Sequence, residues 1–127
     1  MKATSRKIKA INIDGKLSLF NEYWTPKIVG EMNDDKVQLV KIKNKFIWHH
    51  HDNEDELFYV LKGHLIVHFR DQDVHVKEGE FIIVPHPLEH MTEAIEETHL
   101  LYIEPKAALN TGNVMDSKLS AKNQDKI

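Results

Sequence analysis

The segment "FIWHHHDNEDELFYVLKG", Phe46 to Gly63, sets three consecutive histidines and four acids between two apolar runs. His49 and His51 stand two residues apart, so in an extended chain both imidazoles point to one side while Trp48 and His50 point to the other. Such a pair can chelate a metal ion. A second strand returning beside the first can add a carboxylate from Glu56, which opens the run "LFYV" and alternates with Phe58 and Val60. Glu54 and Asp55 are rivals, but they sit in the turn itself and read better as a solvated acidic loop. The fourth candidate is His90, in "VPHPLEHMTEA", where Pro85 and Pro87 bend the chain rigidly before the next strand. Three neutral imidazoles and one carboxylate suit one divalent ion of Fe, Mn, Ni, Co or Zn, and an octahedral ion so held keeps two positions for substrate or water. The bland alternative is a metal-free site in which the histidines only hydrogen-bond to one another. It is disfavoured because four ionisable groups converging in a half-buried mouth are costly without a cation.

The elements that must position these groups are short strands. Between about Val37 and Ile103 the chain has a two-residue period broken by turn residues. "VQLVKI" (Val37 to Ile42) and "FIW" (Phe46 to Trp48) flank a turn expected at Lys43 to Lys45. "ELFYVLKG" stops at Lys62-Gly63, "LIVHF" (Leu65 to Phe69) runs into the polar "RDQD", and "VHV" (Val74 to Val76) ends at "KEGE". "FIIV" (Phe81 to Val84) and "THLLYIEP" (Thr98 to Pro105) complete the set. This pattern predicts an all-β fold, an antiparallel sandwich or barrel, and does not fit parallel βαβ units. One domain of 127 residues is expected, with its core at about 37–105.

The ends differ in kind. Residues 13–34 combine a short helical turn expected at Leu17 to Asn21, a stop at Pro26 and a strand expected at Lys27 to Met32, so this segment should wrap the barrel, with Tyr23 and Trp24 as anchors. The tail, 107–127, loses alternation; its first part is expected to pack and its end, after about Asp116, to be disordered.

Composition excludes several function classes. The net charge of −3, with charges of both signs, lacks the one-signed bias expected for binding nucleic acid or an anionic membrane surface. The absence of cysteine removes disulfides, thiolate ligands and cysteine nucleophiles, so a metal must use nitrogen and oxygen. With no apolar stretch of signal-peptide or membrane length, a cytoplasmic protein is expected. The nine histidines all fall in the middle of the chain. His50 reads as a surface residue or one behind the ligands; His64, His68 and His75 read as solvent-facing with no assignable partner; His86 lies in the bend beside the site.

These residues resemble the cupin superfamily, whose motifs read G-x5-H-x-H-x3-4-E-x6-G and G-x5-P-x-G-x2-H-x3-N. Here they stand as His49-x-His51-x4-Glu56-x6-Gly63 and Gly79-x5-Pro85-x-Pro87-x2-His90-x3-Ala94. The first glycine is replaced by Lys43 or Asn44, the second motif's internal glycine by Pro87, and its asparagine by Ala94. The resemblance implies a double-stranded β-helix, or jelly-roll barrel, with His49, His51, Glu56 and His90 as ligands. The chain is similar to small stand-alone cupins, often labelled mannose-6-phosphate isomerase-like, and this likeness implies a homodimer built by sheet packing.

Two functions remain in view. In the first, an enzyme of isomerase or lyase type, the metal acts as a Lewis acid on a small sugar-like or carboxylate metabolite. Tyr102, His86 or Glu89 would move protons, and Phe58, His86, Met91 and Tyr102 are candidates to line the pocket. In the second, the same site holds a metal and a small-molecule ligand without turnover, as a sensor or carrier. No dedicated acid/base pair stands out to separate them.

Overall fold

The computed structural model describes residues 6–114, 119–120 and 124–127. It begins with α1 (Ile13–Leu17), capped by Asn12, whose Oδ1 accepts from the Gly15 amide at 2.8 Å. This cap sets the helix four residues earlier than the turn expected at Leu17 to Asn21. Seven strands follow: β1 (Lys27–Met32), β2 (Asp35–Lys45), β3 (Glu56–Lys62), β4 (His64–Phe69), β5 (Asp73–Lys77), β6 (Phe81–Val84) and β7 (His90–Pro105).

All the strand pairings are antiparallel. The order β1-β2-β7-β3-β6 forms one path, and β4 leaves it to pair with both β5 and β7. The sixteen-residue β7 is the spine. Its first residues pair with β4 through Phe69↔His90 and its last with β3 through Phe58↔Tyr102, while β2 runs along its other edge from Asp35↔Pro105 to Lys45↔Glu93. The result is an antiparallel β fold that wraps on itself, with a short N-terminal helix.

Lys43 to Lys45 do not turn the chain. β2 continues to Lys45 across a register shift between Ile42 and Asn44, where Asn44 takes φ 68°. Asparagine tolerates this left-handed conformation better than most residues, so a bulge forms and pairing with β7 resumes at Asn44↔Ala94. Phe46 to His51, in turn, is not a regular strand; it holds to β7 by one antiparallel bridge between His49 and His90.

Strand alternation divides β2 between two environments. Val40 and Ile42 face inward with Val60, Leu65, Val67 and Leu100, forming the main core. Leu39 faces outward and is covered by Leu17 and Phe20 of the N-terminal segment. Lys41 reinforces the cover: its Nζ donates to the carbonyls of Leu17 at 2.8 Å and Phe20 at 2.6 Å, satisfying groups left over at the end of α1. The strand expected at Lys27 to Met32 is β1, with those limits.

Residues 124–127 are paired, although disorder was expected after about Asp116. The Ile28 amide donates to the Asp125 carbonyl and the Ile127 amide to the Ile28 carbonyl, both at 2.9 Å, while Lys27 Nζ reaches Asp125 Oδ2 at 3.2 Å. These bonds cover the free edge of β1. Residues 115–118 and 121–123, also part of that expectation, lie outside the described residues.

Candidate metal centre

His49, His51, Glu56 and His90 converge so that one ligand atom from each lies within 4.8 Å of the others. All four residues are buried, at 4 % exposure or less. β3 brings Glu56 in at its first residue, β7 brings His90 in at its first residue, and the bridge between His49 and His90 fixes the loop against β7 through reciprocal amide bonds of 3.0 and 2.9 Å.

A backbone carbonyl orients each of two imidazoles. His49 Nδ1 lies 2.9 Å from the Ile47 carbonyl and His90 Nδ1 lies 2.9 Å from the Leu88 carbonyl. Because a carbonyl only accepts, both Nδ1 atoms carry the proton, and in the neutral rings both Nε2 lone pairs are left for the centre. Burial, and then the neighbouring His90, lower the His49 pKa to about 4, which keeps that ring neutral.

The donor set fits a cation. Nε2 of His90 and Nε2 of His51 each lie 3.1 Å from the same oxygen, Glu56 Oε1. A neutral His90 with its proton on Nδ1 would set a lone pair against that carboxylate oxygen. His51 Nε2, although within ion-pair distance, has no hydrogen bond of acceptable geometry and is a buried polar atom without a partner. Either protons or a metal ion must balance the arrangement. Burial alone would lower the His51 pKa, but Glu56, with Glu104 and Glu54 behind it, outweighs burial and raises it. Burial likewise pushes Glu56 up, and His51 and His90 reverse this, holding it well below the usual carboxylate range.

Behind Glu56 runs a buried polar chain that starts at Tyr102, a candidate from the sequence, and continues through Glu104, Gln38 and Lys36, which the sequence reading did not single out. Tyr102 donates to Glu56 Oε2 at 2.5 Å and also contacts Glu104 Oε2. A phenol has one proton to give, so the second contact requires a proton on a carboxyl group. Burial first, and then the charge of Glu56, push Glu104 up to about 8, making it the protonated partner. Glu104 Oε1 lies 3.4 Å from Gln38 Nε2 and 3.6 Å from Lys36 Nζ, and Gln124 joins both, through Gln38 Oε1 at 2.7 Å and Lys36 Nζ at 2.8 Å. The signal available beforehand was the alternation of Leu100, Tyr102 and Glu104, which sets two polar side chains on an otherwise apolar inner face.

A loop from the far end of the sequence closes the centre from outside. Asn113 holds the backbone of His50 on both sides, its amide donating to the His50 carbonyl at 3.0 Å and its Oδ1 accepting from the His50 amide at 2.8 Å. Gly112 takes φ 56°, and a Cβ there would come within 2.2 Å of the His50 carbonyl oxygen and 3.2 Å of His49 Cδ2. Only glycine fits so close to the ligand segment.

On the His49 side lies a small cavity of about 30 Å³. Phe58 and Tyr102 line it, together with Trp24, Phe46 and Thr92, which were not among the pocket candidates. His86 and Met91 do not line it. Met91 alternates with His90 and Thr92 and so takes the opposite face of β7. His86 is exposed and tied to Asp55, with Nδ1 at 2.5 Å from Asp55 Oδ1. The other histidines also have partners. His64 Nε2 and His75 Nδ1 are 2.8 Å apart, and His68 lies between Asp73 and Glu93. Side chains on paired outer positions of β4, β5 and β7 thus meet one another, where solvent alone had been expected.

The sequence matches the Cupin domain family over residues 37–104, more than half of the chain. The chain belongs to the cupin family. This cupin is 36 % identical over 81 residues to the uncharacterized protein YdbB of Bacillus subtilis, a match covering 63 % of the chain and 72 % of YdbB. A crystal structure of a cupin-2 domain protein from Shewanella frigidimarina superposes with a TM-score of 0.75 at 43 % identity, covering 76 % of this cupin and 94 % of that chain. At 26 % identity, 75 % of the cupin aligns with 3-hydroxyanthranilate 3,4-dioxygenase of Xenopus laevis, but it spans only 36 % of that protein's length. Among the described residues no helix is long and apolar enough to cross a membrane.

Proposed function

We propose that this cupin is a metal-dependent enzyme acting on a small molecule, with His49, His51, Glu56 and His90 holding one divalent ion of Zn, Mn, Fe, Ni or Co. The observation that carries the reading is the convergence of four buried donors, one of them the partnerless His51 Nε2, beside a cavity that reaches His49. Bound there, the ion would supply Lewis acidity toward an oxygen of the substrate. Ile47 and Leu88 carbonyls orient two of the ligands, Tyr102 fixes Glu56 through Oε2 so that Oε1 faces the histidines, and Phe46 and Phe58 line the cavity side. Chemistry of the isomerase or lyase type needs no more than this. Glu89 is bound to Arg70 at 2.6 Å and does not line the cavity, which leaves the Tyr102–Glu104 pair as the buried proton-carrying groups beside it.

A second reading, oxygen-dependent chemistry, draws support from the similarity to the frog dioxygenase. Elemental analysis of untagged protein purified without chelators and without air tests both. Near-stoichiometric metal, lost in His49→Ala/His51→Ala, is expected; iron with substrate-dependent oxygen uptake selects the second reading, and another ion the first. Equal emptiness of both proteins, with no thermal stabilisation by added metal, would overturn the metal centre. Metal retained without turnover on broad substrate panels would leave a binding module.

We also propose a homodimer. The outer face of β7, β3 and β6 carries the rows Ile103–Leu57–Ile83 and Leu101–Tyr59–Phe81, in which Ile83 and Phe81 are more than half exposed. Light scattering that returned only the monomer mass would refute this.

A further inference from the structure

We propose that Gln124, which lies outside the residues 37–104 that match the family, is a positioning residue for the metal ligand Glu56, acting through a one-way chain of hydrogen bonds; this rests on the metal reading above. The direction of the chain follows from what each group can give. Lys36 Nζ has only protons to offer, so the Gln124 atom 2.8 Å from it is the amide oxygen. Gln124 Nε2 is then left to donate to Gln38 Oε1 at 2.7 Å, and Gln38 Nε2 to face Glu104 Oε1 at 3.4 Å. Tyr102 gives its one proton to Glu56 Oε2, so its contact with Glu104 Oε2 is made by the carboxyl proton of Glu104. Every donor points the same way, from Lys36 toward the ligand.

Lys36, Gln38, Glu104, Tyr102 and Glu56 are all 5 % exposed or less. In such surroundings hydrogen bonds aligned head to tail polarise one another, and each donor strengthens the next. At the end of the chain Tyr102 holds Oε2 of Glu56 and leaves Oε1 to the histidines, so a weaker chain holds the metal-binding oxygen less firmly. Gln124 fixes which end of the Gln38 amide faces Glu104. Turned over, that amide would set its oxygen against Glu104 Oε1, and two acceptors repel.

Gln124 is itself brought in by a segment fastened along β1. The Ile28 amide donates to the Asp125 carbonyl, the Ile127 amide to the Ile28 carbonyl, and Lys16 Nζ to the Ile127 carbonyl at 2.7 Å. Asp125 meets Lys27, and Lys126 meets Glu31. These contacts fasten the segment, whereas the Gln124 side chain joins the buried chain, so the two roles can be separated by substitution.

The test uses the full chain and Zn(II) alone, with affinity read by competition against a chelator of known strength. Gln124→Leu keeps the bulk and removes both side-chain bonds; zinc affinity should fall about three- to tenfold, less than for Tyr102→Phe because the lost bonds lie further from the ligand. Asp125→Ala removes an ion pair of the same segment without touching the chain and should leave zinc affinity unchanged. In a Tyr102→Phe background, where the chain is already cut, Gln124→Leu should add no further loss. Because coupling is reciprocal, zinc should slow amide exchange of Ile127 in the wild-type protein and not in Gln124→Leu. If the wild-type protein takes up no zinc, the metal reading fails and this inference with it. If zinc binds but Gln124→Leu leaves its affinity unchanged, Asp125→Ala lowers it as much, the losses from Gln124→Leu and Tyr102→Phe add, or zinc slows Ile127 exchange equally in both proteins, Gln124 serves the fold alone; the inference is then overturned and the metal reading stands.

Discussion

Two clusters of histidine and carboxylate share strand β7 and are put to opposite uses. At the outer surface, His68 lies between two acids, Nδ1 at 2.6 Å from Asp73 and Nε2 at 2.7 Å from Glu93. At the inner face, three imidazoles share one carboxylate, Glu56. Outside, acids outnumber imidazoles and every nitrogen has its own partner, so the cluster closes on itself as an ion pair. Inside, imidazoles outnumber acids, two Nε2 atoms crowd one oxygen, and the balance calls for an added positive charge. Burial sharpens the contrast. Glu93, with Asp73 adding and a smaller loss from burial, raises the His68 pKa, whereas burial and His90 lower that of His49 to about 4. Stoichiometry and burial, more than residue type, separate a ligand set from a salt bridge.

The strongest way to break this comparison is at the ligands. His90→Ala should abolish stoichiometric metal by elemental analysis after dialysis, while His68→Ala should leave metal content unchanged; loss in both would mean that the clusters are not distinct. Gly112→Ala acts on the support of the inner cluster alone. With φ 56° and the His50 carbonyl within 2.2 Å of the new methyl, it should cost about 2 kcal/mol of stability by denaturant unfolding. An unchanged midpoint would show that the 110–113 loop does not brace the ligand segment.

Tyr102→Phe removes the hydroxyl that orients Glu56 without opening much space. Metal affinity should fall about 10- to 100-fold in competition with a chelator of known strength, with little change in fold by circular dichroism. The smallest effect belongs to the outer cluster. Because the folded pKa of His68 is raised, its ion pairs stabilise fully below the ordinary imidazole value of about 6.5 and are lost as pH rises through the folded value. His68→Gln should therefore cost below about 1 kcal/mol at low pH, converging with the parent protein at high pH and in high salt. A difference that grew with pH would reverse the assignment.

Much of the fold and the centre of the site were legible because they depend on local spacing. The period of two placed β3, β6 and the later part of β7 close to their observed limits, and the H-x-H pair with Glu56 and His90 marked the four residues that converge. Failures came where local polarity misled. Lys43 to Lys45 looked like a turn because they are polar, but they face solvent on a strand whose pairing with β7 absorbs one bulged residue. His64, His68 and His75 looked isolated because their partners lie on other strands.

By itself the sequence determined which residues share a face of a strand: Glu56 with Phe58, and Tyr102 with Glu104. Alternation is a property of the extended backbone and needs no partner. Which faces meet, and from which of them water is excluded, only the tertiary structure decided. It brought Trp24 onto Phe46, Gln38 to Glu104 and Gly112 against His50, pairs separated by 22 to 66 positions in the chain. Burial and counter-charge are sums over all the segments that close around a group, so the charge state of Glu104, the lone pair of His90 and the apolar wall beside His49 exist only once the barrel is wrapped.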